Sequence, residues 1–413
     1  MKQLGVRAVI LAGSTLIASA CDRPSDAPKP TAAAAPAQHD PLGPPSQAEM
    51  PTTHGIIATT NLIGHIEALT RNLESHPGDL ESKRQLIELL AARGQYLGRI
   101  ADAERAAAMA EELVRDAPTR PWAYAARAHT RAAMHRFTEA LADLAEAEKR
   151  GEPPANLIAQ KAMILEGQGD LDGALALRRK MRELNPNLNA LGLEGALVGQ
   201  MGRTDEAVGL FRRAAAEYRD VSPFPVAWLF LQQGLLWERA GNVARAKTFY
   251  AAAHERLPGY VHAAAHLATL EQPAVGIELL KSIADASDDP EFEHILVNRL
   301  RAHGDVADAD ARAAHVRARY AELVDKHPEA YAEHAGWFLL DEGKEPQNAL
   351  AFAKTNLAVR RTEKAYQLAM LAAFAAGARA EACTFGQDGA KLPYASGMLR
   401  AIAADACKPA AVP

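Results

Sequence analysis

From residue 55 to the end of the chain, apolar residues recur at spacings of three and four, with charged residues on the intervening positions. This is the period of amphipathic helices, and no stretch alternates with the period of two that marks a strand. The helices are short and are interrupted by Gly or Pro, as in "LEGQGDLDGALALRRKMRELNP", where the apolar pattern breaks at a glycine and stops at a proline. The pattern therefore predicts many helical hairpins rather than a few long rods.

A glycine followed five residues later by an alanine recurs at Gly169/Ala174, Gly202/Ala207, Gly241/Ala246, Gly304/Ala309 and Gly377/Ala382. The glycine suits the end of a first helix, where a left-handed residue is inexpensive, and the alanine suits a close crossing of two helices. Phe211 and Tyr250 supply bulk inside the hairpins, and Pro186 and Pro258 stop the second helices. Weaker turns fall at Gly94, His135, Gln272-Pro273 and Gly343. Two longer intervals, after Gly94 and Gly304, read as lengthened second helices, and a third reads as a loop at "DVSPFP".

"AMILEGQGDLDGALALRRKMRELNP", "GALVGQMGRTDEAVGLFRRAAAEY" and "GLLWERAGNVARAKTFYAAAHERLP" resemble the tetratricopeptide (TPR) repeat. The resemblance is strongest over residues 155 to 258. The expected fold is all-α, a right-handed α-solenoid of about nine TPR-like helical hairpins. The resemblance implies a non-enzymatic protein that binds peptides or proteins in a concave groove lined by the first helix of each hairpin. On this chain the groove residues would be Asn156, Gln160 and Met163, then Asn189, Leu193 and Ala196, then Trp228, Gln232 and Leu235, then His262 and His266. Such a wall is small, apolar and amide-bearing, without a lysine or arginine to clamp a carboxylate, so docking through apolar anchors is expected. Trp228 is the candidate anchor for a partner, and packing against the neighbouring hairpin is the somewhat favoured alternative.

The N-terminus has a different pattern. Lys2 and Arg7 precede a small, apolar run from Ala8 to Ala20, about 13 residues, which fits a secretory signal and is short of the roughly 20 needed to span a bilayer. Ala18-Ser19-Ala20-Cys21 resembles the lipobox of bacterial lipoproteins, which implies lipidation of Cys21, and Asp22 resembles a signal for retention at the inner membrane. The alternative is an ordinary signal with an incidental cysteine. The segment from Asp22 to His54 is rich in Pro, Ala, Ser and Thr and lacks the apolar bulk to offset the entropy of ordering. It reads as a tether, reaching roughly 30 Å as a coil and about 100 Å if extended. The expected organisation is thus a signal peptide over residues 1–20, a lipidated and disordered tether over 21–54, a leading helix over 55–76, the array over 77–382, and a C-terminal cap and tail over 383–413.

Composition narrows the picture further. The net charge is -5 with 6% aromatics and no basic block, which argues against a nucleic-acid surface. With Cys21 assigned to lipid, Cys383 and Cys407 remain as a pair, and an oxidising envelope favours a disulfide worth about 3.5 kcal/mol in the chain-entropy model. "HAAAH" puts His262 and His266 one helical turn apart, with His254 nearby, a weak candidate metal set that motivates a second reading as a metal-handling envelope lipoprotein. No phosphate loop, nucleophile elbow or spaced cysteine set is present, so neither catalysis nor a cofactor is expected. The leading expectation is a membrane-anchored scaffold or adaptor, held in the periplasm by lipid on Cys21, whose partner is another envelope protein or peptide.

Overall fold

The computed structural model describes residues 42–342 and 344–408; the signal segment, Cys21, Asp22, the tether as far as residue 41, and Gly343 lie outside the described residues. The described residues form 20 helices and no strands. A leading helix, α1 (Gly55–Ser75), precedes nine hairpins. The first four are α2/α3 (Leu80–Leu97, Ile100–Asp116), α4/α5 (Pro121–Ala133, Phe137–Lys149), α6/α7 (Pro154–Gln168, Leu171–Leu184) and α8/α9 (Leu188–Gln200, Thr204–Ala216). The next three are α10/α11 (Pro223–Arg239, Val243–Arg256), α12/α13 (Val261–Leu270, Pro273–Ala286) and α14/α15 (Pro290–His303, Val306–Lys326). The last two are α16/α17 (Pro328–Glu342, Pro346–Val359) and α18/α19 (Glu363–Ala375, Arg379–Ala390), and α20 (Gly397–Ala406) caps the stack. The molecule is an all-α solenoid of TPR-like hairpins.

The turn chemistry sets this topology. Gly169, Gly202, Gly241, Gly304 and Gly377 all have φ between +76° and +101°, the left-handed region that ends a helix. Ala174, Ala207, Ala246, Ala309 and Ala382 are fully buried where paired helices cross, and Phe211 and Tyr250 fill the space beside them. Among the described residues, His135 is the one non-glycine with positive φ, at 55°, and it occupies the turn between α4 and α5.

Two boundaries differ from the sequence reading. The first hairpin turns at Gly98, not Gly94, because α2 runs on to Leu97 and Gly98 takes the left-handed conformation at φ 62°. The extra length there is shared by α2 and α3, whereas after Gly304 it does belong to the second helix, the 21-residue α15. The boundary placed at residue 382 falls inside α19, so the ninth hairpin continues to Ala390 and the cap is α20. The loop expected at "DVSPFP" covers residues 217–222, while Pro223 opens α10 at a position where its missing N–H costs nothing.

The solenoid also winds back on itself. Gly98 O accepts from Ser287 Oγ at 2.6 Å and from the Asp288 amide at 3.2 Å. Further on, His327 Nε2 donates to Glu104 at 3.0 Å, His135 Nδ1 donates to Glu329 O at 3.0 Å, and the Arg361 amide donates to Gln168 O at 3.1 Å. Tyr394 donates to Asp172 at 2.5 Å. One edge of the early hairpins thus meets the edge of hairpins roughly 190 to 220 residues later. The disordered tether expected to run to residue 54 is corrected at its described end: Met50 is buried against the middle hairpins, Arg256 Nη1 donates to its carbonyl at 2.6 Å, and the Thr53 amide donates to Val221 O at 2.7 Å, so the stretch just before α1 is fastened to the array.

Candidate functional site: the inner wall of the solenoid

First helices of successive hairpins pack on one another, as α4 does on α6, α8 on α10, α12 on α14 and α16 on α18, while the second helices splay apart. That asymmetry curves the array and puts the first helices on the inside, the arrangement through which solenoids form concave surfaces.

Every groove residue expected from the sequence lies on a first helix: Asn156, Gln160 and Met163 on α6, Asn189, Leu193 and Ala196 on α8, Trp228, Gln232 and Leu235 on α10, and His262 and His266 on α12. All are exposed or half-buried. Trp228 leans on the preceding hairpin, so that a Cβ added at Gly192 would sit 3.0 Å from its ring. Its indole is therefore partly structural. Gln160 Oε1 is buried without a hydrogen-bond partner, and Asn156 donates to Glu152 at 2.7 Å.

The expectation of an uncharged wall is corrected by the later hairpins. Glu333 on α16 has a side chain only 2% exposed, yet it accepts from Arg360 and Lys364 at 3.0 Å each and from Asn356 at 3.2 Å. Glu291 on α14 faces His334 on α16 at 3.6 Å. Nearer the middle, Glu238 on α10 accepts from the Tyr250 hydroxyl and lies 3.4 Å from His266, whose ring stacks on Tyr250 with centroids 4.9 Å apart. His294 donates to Asp341 at 2.9 Å, again linking α14 to α16. Carboxylate–histidine pairs thus bridge successive first helices.

The electrostatics follow from this crowding. Burial opposes the Glu333 charge, but Lys364 and Arg360 overcome it and hold its carboxyl at about 2. Burial likewise opposes the Glu291 charge, and His334, His262 and Lys364 outweigh it, so its carboxyl also stays well below the ordinary range. Enclosure works against the Lys364 ammonium, yet Glu333 and Glu291 raise its pKa on balance. Burial pushes His262 toward its neutral form. The wall is a mixed surface of fixed charges and imidazoles.

Reading the sequence missed Glu291, Glu333, His334 and Lys364. A signal was present for two of them: Asn189, His262, Glu291 and Lys364 are each the second residue of their first helix, so the register assigned to the central hairpins carries over to the seventh and ninth. His254 does not join His262 and His266. It lies on the second helix α11 with Nδ1 buried and unpartnered, and among the described residues no group of three or more His, Cys, Asp or Glu has the arrangement to hold a metal. Cys383 on α19 and Cys407 at the end of α20 have their Sγ atoms 2.01 Å apart and their Cα atoms 4.6 Å apart. Among the described residues no helix is long and apolar enough to cross a membrane.

No protein-family model matches the chain, and no curated protein matches it. Among solved structures, it is similar to YrrB, described as a TPR protein with an unusual peptide-binding site, at 20% identity over 48% of this chain and 96% of that one, with a TM-score of 0.28. It is also similar to the TPR domain of P58(IPK), at 18% identity over 79% and 97% of the two chains with a TM-score of 0.24. A third similarity is to the APC/C Cut9–Hcn1 hetero-tetramer, at 13% identity over 85% and 81% with a TM-score of 0.42. The hairpin architecture stands on the helix pairing described above, independently of these likenesses.

Proposed function

We propose that this protein is a non-catalytic scaffold that holds a segment of another polypeptide against the inner wall of its solenoid, and that lipid on Cys21 keeps it at the membrane facing the periplasm. The observation that carries the binding reading is the composition of the wall: first helices present half-buried or exposed amide, aromatic and imidazole side chains, with charged ones at Glu291 and Lys364. The alternation of apolar contacts around Trp228 and Leu235 with fixed charges around Glu291 and Lys364 suits an extended segment carrying both apolar and polar side chains. The anchor reading rests on the lipobox-like "ASAC" and on the tether that follows it. The partner is then another envelope protein or peptide, and the Cys383–Cys407 bridge belongs to the same oxidising compartment.

Native protein extracted from membranes tests both parts. An intact mass beginning at Cys21 with added acyl chains, together with a co-purifying polypeptide that is lost on Gln232→Arg and on His266→Glu but retained on Arg212→Ala at the outer face, is the expected result. An unacylated mature chain, or a partner indifferent to both inner-wall substitutions, would reject the corresponding part.

A further inference from the structure

We infer that the seam where the solenoid meets itself is a latch governing access to the inner wall. The seam consists of isolated polar contacts over most of its length. Asp288 takes the amides of Ile100 and Ala101, Glu104 takes His327, Glu329 O takes His135, Gln168 O takes the Arg361 amide, and Asp172 takes Tyr394. Apolar contact across it is concentrated at its ends: Tyr96 packs on Tyr260 with ring centroids 4.9 Å apart and Gly98 abuts Phe292 at one, and Tyr394 packs against the cluster that includes Ala174 and Leu175 at the other.

The hydrophobic core has the complementary distribution. Its three clusters comprise residues within 62–164, residues within 174–267 together with Met50, and residues within 261–406. None of them joins the second and third hairpins to the eighth and ninth. Hydrogen bonds of this kind are replaced by bonds to water when the contact opens, whereas buried apolar surface has no such replacement. Separation of the seam therefore leaves each run of hairpins intact.

A further observation marks the seam as imperfectly closed. Cavities flank it, one of about 110 Å³ between His135–Glu139 and Glu329, Ala358 and Val359, the other of about 230 Å³ between Ala107, Ala108 and Met134 and the facing His327. The purpose of the latch, admitting a polypeptide to the wall, rests on the scaffold reading; its motion requires no partner.

Amide hydrogen exchange on the full mature chain without a partner tests the motion. The amides of Asp288 and Arg361, which donate to Gly98 O and Gln168 O, are expected to exchange through a shared opening well before the amides of the hairpin interiors. Asp288→Ala at one end of the seam is expected to speed exchange at Arg361, near its other end, about tenfold while leaving Leu191 in α8 unchanged. Glu104→Gln, which removes one carboxylate contact from a half-buried site, should act on Arg361 in the same direction and decides the matter if Asp288→Ala does not fold. If Arg361 is indifferent to both substitutions, or exchanges only with the hairpin interiors, the seam is permanent structure and the latch is rejected. A responsive seam in a protein whose inner wall captures nothing would reject the scaffold reading alone.

Discussion

Asp288 caps a helix that begins 188 residues before it. Its carboxylate accepts from the Ile100 amide at 2.5 Å and from the Ala101 amide at 3.1 Å, occupying the N-terminus of α3, where the local N-cap residue Arg99 makes no side-chain cap. A cap of this kind is worth about 0.5–2 kcal/mol, and the carboxylate also meets the positive end of the helix dipole. Asp288→Ala is therefore expected to lower unfolding stability by about 1–2 kcal/mol in a urea titration. Asp288→Asn, which keeps one acceptor, should lose less.

Two glycines separate the conformational cost of a turn from the cost of the seam. Gly169 and Gly202 both occupy left-handed turns, at φ +94° and +77°, but a Cβ at Gly169 would lie 2.4 Å from Arg361 O, whereas one at Gly202 would meet nothing within 4 Å. Gly202→Ala is expected to cost about 1–2 kcal/mol, the ordinary penalty of a left-handed residue. Gly169→Ala should exceed it by roughly 1–3 kcal/mol through overpacking against backbone. Equal losses in the two variants would mean that the seam yields without resistance.

Acid should weaken the fold through His135. Burial and then the nearby Arg360 lower its pKa from the usual 6.5 to about 4. Between those values the unfolded chain binds a proton that the folded chain refuses, so the contribution is intact above about 6.5 and is lost as pH falls toward 4. His135→Asn places a residue tolerant of left-handed φ at the turn and removes the titration. Its loss of stability between pH 7.5 and pH 5 should be smaller than that of the unsubstituted protein by about 1–2 kcal/mol. An identical loss in both would show that His135 titrates normally.

The legible part of this protein was its local part. The turns at Gly169, Gly202, Gly241, Gly304 and Gly377 could be read because each announces itself within five residues by a left-handed glycine and a small crossing residue. Gly94 misled because another glycine stands four residues later, and which of them ends α2 depends on Gly98 abutting Phe292 and Ser287, contacts that no local pattern records. The charged half of the inner wall was recoverable in principle, since Lys364 and Glu291 repeat the register of His262, but their mutual attraction arises only when three successive first helices are stacked. The seam was out of reach altogether. Asp288 reads as an ordinary loop acid, and its role depends on how much the solenoid curves.

The most direct measurement is a photo-cross-linking scan in living cells, placing a photoreactive residue in turn at Gln232, His266 and Lys364 on the inner wall and at Arg212 and Lys281 on second helices. One discrete adduct of the same mass is expected from all three inner positions and none from the outer two. Adducts from Arg212 and Lys281 with a silent inner wall would contradict it, and would move the working surface of the protein to the convex face.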